Sequence, residues 1–167
     1  MKKKCLFLTA FAAIAILFAA CTSTHTYDKN GVAFSYPGGW SITADDFGNS
    51  LGYVKLEKGA TTATIGWLKT GSDIGAEMML QNALADIQTQ GAFSDFTAEP
   101  VEKVSYGTYP AIAATYNGTA GGAPRTGTIW VFKAEGYVVN VDVEGSAAAR
   151  VADEREFKVI EESFILK

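Results

Sequence analysis

"GTIWVFKAEGYVVNVDVEG", residues 127–145, is the stretch on which the fold turns. Two apolar arms flank Ala134-Glu135-Gly136, a turn signal set between runs of β-branched and aromatic residues. The second arm alternates: Tyr137, Val139, Val141 and Val143 fall on one side, and Asn140, Asp142 and Glu144 on the other. That period of two marks a strand with one buried face. The first arm, Ile129-Trp130-Val131-Phe132, is apolar without a break. A strand apolar on both faces is covered on both, so 129–132 is expected to be a central strand with its hairpin partner beside it.

Upstream of it, "VEKVSYG" (101–107) and "AIAATYNG" (111–118) read as two strands around a turn at Tyr109-Pro110. Downstream, a helix is expected from about Ala147 to Ser163, with Val151, Phe157, Val159 and Ile160 on its buried side, followed by "FILK". Earlier in the chain, "VAFSY" (32–36), "LGYVKLEK" (51–58) and "TTATIGWLK" (61–69) alternate as strands. "WSITA" (40–44) opens another after the corner "FSYPGGW" (34–40), where Pro37 and Gly38 suit the central positions of a type II turn. Trp40 is expected to pack into the core, and Asp45 and Asp46 to form a solvated turn.

Between these strands the period lengthens. "GSDIGAEMMLQNALADIQTQG" (71–91) is helical, with Ser72 or Asp73 as cap, Glu77 near its start and Gly91 past its end. Ala76, Leu80, Ala83, Leu84 and Ile87 make its apolar stripe, which Met78 and Met79 widen. Phe93 and Phe96 follow in a loop. Strands, helix, strands, helix, with hairpin links throughout, predict an α+β domain: an antiparallel sheet with helices packed on it.

The chain begins with three lysines, then an apolar run from Leu6 to Ala20 that is 15 residues long. That suits a signal peptide and falls short of the about 20 residues needed to span a bilayer. "LFAAC" (17–21) resembles a bacterial lipobox, with small residues before a cysteine, although Phe18 stands where leucine is usual. The expected organisation is a signal at 1–20, a tether at 21–26 and a domain at 27–167. Lipidated Cys21 holds it to the membrane of the bacterial envelope, and Thr22 after it resembles outer-membrane sorting in a Gram-negative cell. Losing Lys2, Lys3 and Lys4 takes 14 basic residues to 11 against 18 acidic, and the net charge from −4 to −7. So acidic a chain is a poor nucleic-acid binder.

The single histidine, His25, lies in the tether, and neither cysteine lies in the domain. Histidine triads, thiolate catalysis and Cys/His zinc sites therefore have no residues to use there, and no cofactor is expected. Carboxylates remain. Asp142 and Glu144 share a strand face, as a hydrolase pair or an exposed polar face would. "NGTAGGAPRTG" (117–127) is glycine-rich but lacks the Lys-Ser/Thr ending of a phosphate loop. It is expected to be a long mobile hairpin loop, and Asn117 and Arg125 its partner-contacting residues. Glu161 and Glu162 are assigned to the outer face of the last helix.

The corner "GVAFSYPGGWSI", the mid-chain helix, the hairpin at 127–145 and the closing "FKVIEESFIL" together resemble the Mog1/PsbP-like α/β/α sandwich, over nearly all of 27–167. The resemblance implies a central antiparallel sheet with helices on both faces. It also implies a non-enzymatic binding role, with a protein partner in the envelope whose identity it does not supply. A lipoprotein that holds a glycan or other small molecule in an aromatic-lined cleft is the second expectation, and a carboxylate-dependent hydrolase the third.

Overall fold

A computed structural model describes residues 23–48, 50–69, 74–89 and 93–167. The signal, Cys21 and the proposed capping residues Ser72, Asp73 and Gly91 lie outside the described residues. The 127–145 hairpin forms as expected. Strand β9 (Ala123–Ala134) and strand β10 (Tyr137–Gly145) pair antiparallel around Glu135-Gly136, both with positive φ (50° and 79°), the backbone of a two-residue hairpin turn. On its other edge β9 pairs with β8 (Tyr109–Ala120), so 129–132 is central.

The large sheet has eight strands, all antiparallel. Its order is β3 (Ser41–Phe47), β4 (Leu51–Lys58), β5 (Thr61–Lys69), β10, β9, β8 and β6 (Ser94–Ala98). Strand β7 (Glu102–Tyr106) shares the outer edge of β8 with β6, the two lying end to end. The first strands stand apart from it: β1 (Thr24–Lys29), β2 (Val32–Pro37) and the closing β11 (Ile165–Leu166) form a separate three-stranded sheet. The polar 24–26 segment is thus ladder, with Thr24 opposite Pro37, and the expected tether cannot extend through Thr26. Its side chains are exposed, which is why its composition reads as linker.

Helix α1 (Ala76–Thr89) and helix α2 (Ala147–Ser163) complete the chain. Side chains of β9 alternate between two cores. Ile129 and Val131 join Leu80 of α1 and Val138. Trp130 and Phe132 belong with Phe157 and Ile160 of α2, and with Val54, Ile65, Val141 and the small sheet's Tyr27 and Phe34. Met79 packs with the first core, whereas Met78 is exposed. No helix among the described residues is long and apolar enough to cross a membrane.

Several local expectations change. At 37–40 the turn is one residue later than type II spacing would place it: the Trp40 amide donates to the Pro37 carbonyl (3.0 Å), and neither Gly38 nor Gly39 has positive φ. Gly38 lacks a side chain for a steric reason, since a Cβ there would fall on the Ser23 hydroxyl. Trp40 is buried, as expected. Asp45 and Asp46 extend β3 instead of turning, with Asp45 paired to Lys29 at 2.7 Å. Phe96 lies in β6, and Phe93 and Phe96 both pack on the Tyr116 ring. The β7–β8 turn falls at Gly107-Thr108, placing Tyr109 and Pro110 within β8.

On α2, Val151 is 75% exposed and Asp153 takes the buried position. The exchange has a cause on the neighbouring strands. Asp153 accepts from Lys58 Nζ (2.8 Å) and Thr61 Oγ1 (2.6 Å), while Glu156 accepts from Lys58 (2.6 Å) and from Trp40 Nε1 (3.0 Å). A buried carboxylate so paired is tolerated, and this one ties α2 to β4 and β5.

Candidate functional site

The long loop expected at 117–127 is almost entirely strand. Ladder pairing runs to Ala120↔Ala123, leaving Gly121-Gly122 as the turn, with φ of 59° and 78°. Glycine is what those angles require, so the glycines that suggest a flexible loop instead close a tight hairpin. Asn117 lies in β8, exposed, between Thr97 of β6 and Thr126 of β9. Arg125 lies in β9, and its Nε donates to Glu144 Oε1 at 2.8 Å.

That pair belongs to a polar row on the sheet. Tyr116 lies across Gly127 and donates to both carboxylate oxygens of Asp142, at 3.0 and 3.2 Å. Asp142 is pushed up to about 7 by burial; the Tyr116 hydrogen bond opposes the rise, Glu144 adds to it and Arg150 opposes it. Burial likewise holds the Tyr116 hydroxyl well above its ordinary range. Asp142 and Glu144 do share a strand face, but each already has an intramolecular partner. Tyr116 and Gly127 carried no signal of this role, because their meeting depends on the β8–β9 register.

A second constellation went unnoticed in the sequence. A groove of about 370 Å³ runs along α2. Its helix wall carries Arg150, Glu154, Phe157, Lys158 and Glu161, residues spaced at three and four so that one face presents them all. Glu161 thus lies in the groove, not outside it, and its Oε1 accepts from the Gly107 amide at 3.2 Å. The opposite wall is Trp130 of β9 and Val143 of β10, with Trp40 nearby. Val151 lines it too. The i, i+4, i+8 series Arg150-Glu154-Lys158 was available as a signal; placing Val151 on the buried side hid it.

Charges in the groove divide into two kinds. Asp153 is occupied by Lys58 and Thr61. Arg150 donates to the Val143 carbonyl (2.5 Å) and the Thr128 hydroxyl (3.0 Å), both neutral, and makes no ion pair among the described residues. Burial lowers its pKa, and the more distant Asp142 and Glu154 work against that. Lys158 makes no ion pair among the described residues either. No group of three or more His, Cys, Asp or Glu among them is placed to hold a metal ion.

No protein-family profile and no curated protein sequence matches the chain. Solved structures do. The chain is similar to the cyanobacterial PsbP (CyanoP) of Synechocystis sp. PCC 6803, at 18% identity and a TM-score of 0.60, covering 96% of this chain and 99% of that one. LpqN of Mycobacterium tuberculosis, described as involved in cell envelope biogenesis, is similar at 15% identity and a TM-score of 0.54, covering 88% and 92%. The Ran-binding protein Mog1p of Saccharomyces cerevisiae is similar at 8% identity and 0.54, covering 87% and 96%. The class is therefore established: this chain has a Mog1/PsbP-like fold. At these identities the likeness is one of fold.

Proposed function

We propose that this chain is a non-catalytic binding module of the bacterial cell envelope, held to a membrane by lipid on Cys21. One observation carries the non-catalytic part. Every carboxylate of the α2 groove, Asp153, Glu154 and Glu161, comes from one helix, and the facing wall of Trp40, Thr61, Trp130 and Val143 carries none. Hydrolysis by a carboxylate pair uses acids on both sides of the bond that breaks. The other pair, Asp142 and Glu144, is engaged by Tyr116 and Arg125. The alternation of β9 between two cores supports placing α1 and α2 on opposite sheet faces, as in the sandwich the sequence resembles.

A protein partner is the first reading of what is bound, with the β8–β9 hairpin and its exposed Asn117 as the contact. The Ran binding of Mog1p and the part of LpqN in cell envelope biogenesis support it by analogy of fold alone. Crosslinking in intact cells followed by capture of this chain tests it, and recovery of no specific protein would remove it. A small ligand in the α2 groove is the second reading, favoured by the groove's aromatic wall. The anchor has its own measurement: Cys21→Ser should move the protein from the membrane to the soluble fraction, and a variant that stays membrane-bound would overturn the lipid assignment.

A further inference from the structure

We propose that the α2 groove binds a carboxylate-bearing sugar, its ring against Trp130 and its carboxylate on Arg150. This rests on the reading of the chain as a binding module and names the ligand class of its groove. Three features point to it. The volume, about 370 Å³, falls in the range of small-ligand sites, roughly 300–1,000 Å³. Arg150 is partly buried, yet its two hydrogen bonds go to neutral oxygens. A partly desolvated guanidinium with no carboxylate within hydrogen-bond reach gains from an incoming anion, which its planar fork fits. Its bonds to Val143 and Thr128 hold it in place in advance, so little side-chain entropy is lost on binding.

The remaining groups choose among anions. Trp130, part-buried and stacked on the buried Phe157, offers apolar surface for a ring. Glu154 and Glu161 stand on the same helix wall, with Lys158 between them in sequence. Glu154 lies about one turn from Arg150, and a carboxylate beside a bound anion is unfavourable unless it accepts hydrogen bonds from it. An aromatic acid has no donors for it; a sugar acid has several hydroxyls. Lys158, without an ion pair among the described residues, stands about two turns further along the same helix wall. The outcome is a site selective for both features of the ligand, its charge and its hydroxyls.

Methyl β-glucuronide is the probe, read by the indole N–H signals of the full chain in detergent. The chain has three tryptophans, and Trp130→Phe identifies the Trp130 signal. Saturable movement of that signal is expected, with a Kd on the order of 1 mM and binding roughly tenfold weaker for both methyl β-glucoside and benzoate. Arg150→Gln should abolish the movement. Because Arg150 also braces Val143 and Thr128, Val151→Glu is the second variant: its side chain is 75% exposed, so it leaves the fold intact and should weaken glucuronide binding about tenfold by repulsion. Equal binding of the glucoside or of benzoate would overturn the proposal. So would unchanged affinity in Val151→Glu, or no saturable movement at about 20 mM, some twentyfold above the expected Kd. Release of methanol from the probe would instead overturn the non-catalytic reading, whatever the affinity.

Discussion

Gly127 carries no side chain because Tyr116 occupies that space. A Cβ there would fall on the phenol ring, and the ring cannot retreat, since Phe93 and Phe96 both pack against it with centroids 5.8 Å away. Gly127→Ala should therefore cost about 1–3 kcal/mol, the usual range for overpacking a filled interior, read as a lower urea midpoint. The same tyrosine leads to a pH dependence. Asp142 titrates near 7 in the folded chain against 3.8 ordinarily, so the folded state holds a proton that the unfolded state gives up. The stability this contributes is complete below about pH 4 and lost as the pH rises through about 7. Urea midpoints should fall across that window, and Asp142→Asn should flatten the slope. None of this was legible in residues 116, 127 and 142 taken singly. Alternation placed Asp142 correctly away from Val141 and Val143, but the partner that buries it comes from 26 residues upstream.

The apolar period places helix α2 at about Ala147 to Ser163, and the structure agrees. Its start has a local reason: Ser146 stays extended, and its Oγ accepts from the Ala149 amide at 3.2 Å. Ser146→Ala should cost about 1 kcal/mol, measured by thermal or urea unfolding. Its rotation was less legible. Hydrophobicity nominated Val151 for the interior, but the helix turns so that Asp153 meets Lys58 and Thr61. Removing one partner of such a buried cluster leaves the other uncompensated. Asp153→Ala should therefore destabilise more than Val151→Ala, whose side chain already faces water. The β8–β9 hairpin shows the reverse failure. Gly121-Gly122 among small polar residues looks like a mobile loop, and only ladder pairing on both edges distinguishes it from one.

Across the molecule, the two sheets meet through α2, with Tyr27, Phe34, Trp67, Phe157 and Phe164 in one shared core. Phe157 is central to it, stacked on Trp130 at 5.6 Å. Phe157→Ala should cost about 3–5 kcal/mol and lower the stability of the whole domain in one cooperative transition, read by coincident near- and far-UV circular dichroism. Most of the strands, both helices and the central place of 129–132 follow from local periodicity, because burial of one face imposes a period of two or 3.6 on the residues that share it; β1, β6 and the far end of the β8–β9 hairpin, read as tether and loops, do not. Composition limits histidine to His25, which the structure places in β1 beside Tyr36. The separation of β1, β2 and β11 into their own sheet, the tilt of α2 onto Asp153, the closure of Tyr116 on Asp142 and the groove beside Arg150 follow from neither. Each depends on contacts between segments far apart in the chain, and a periodicity records which face is buried without recording what buries it.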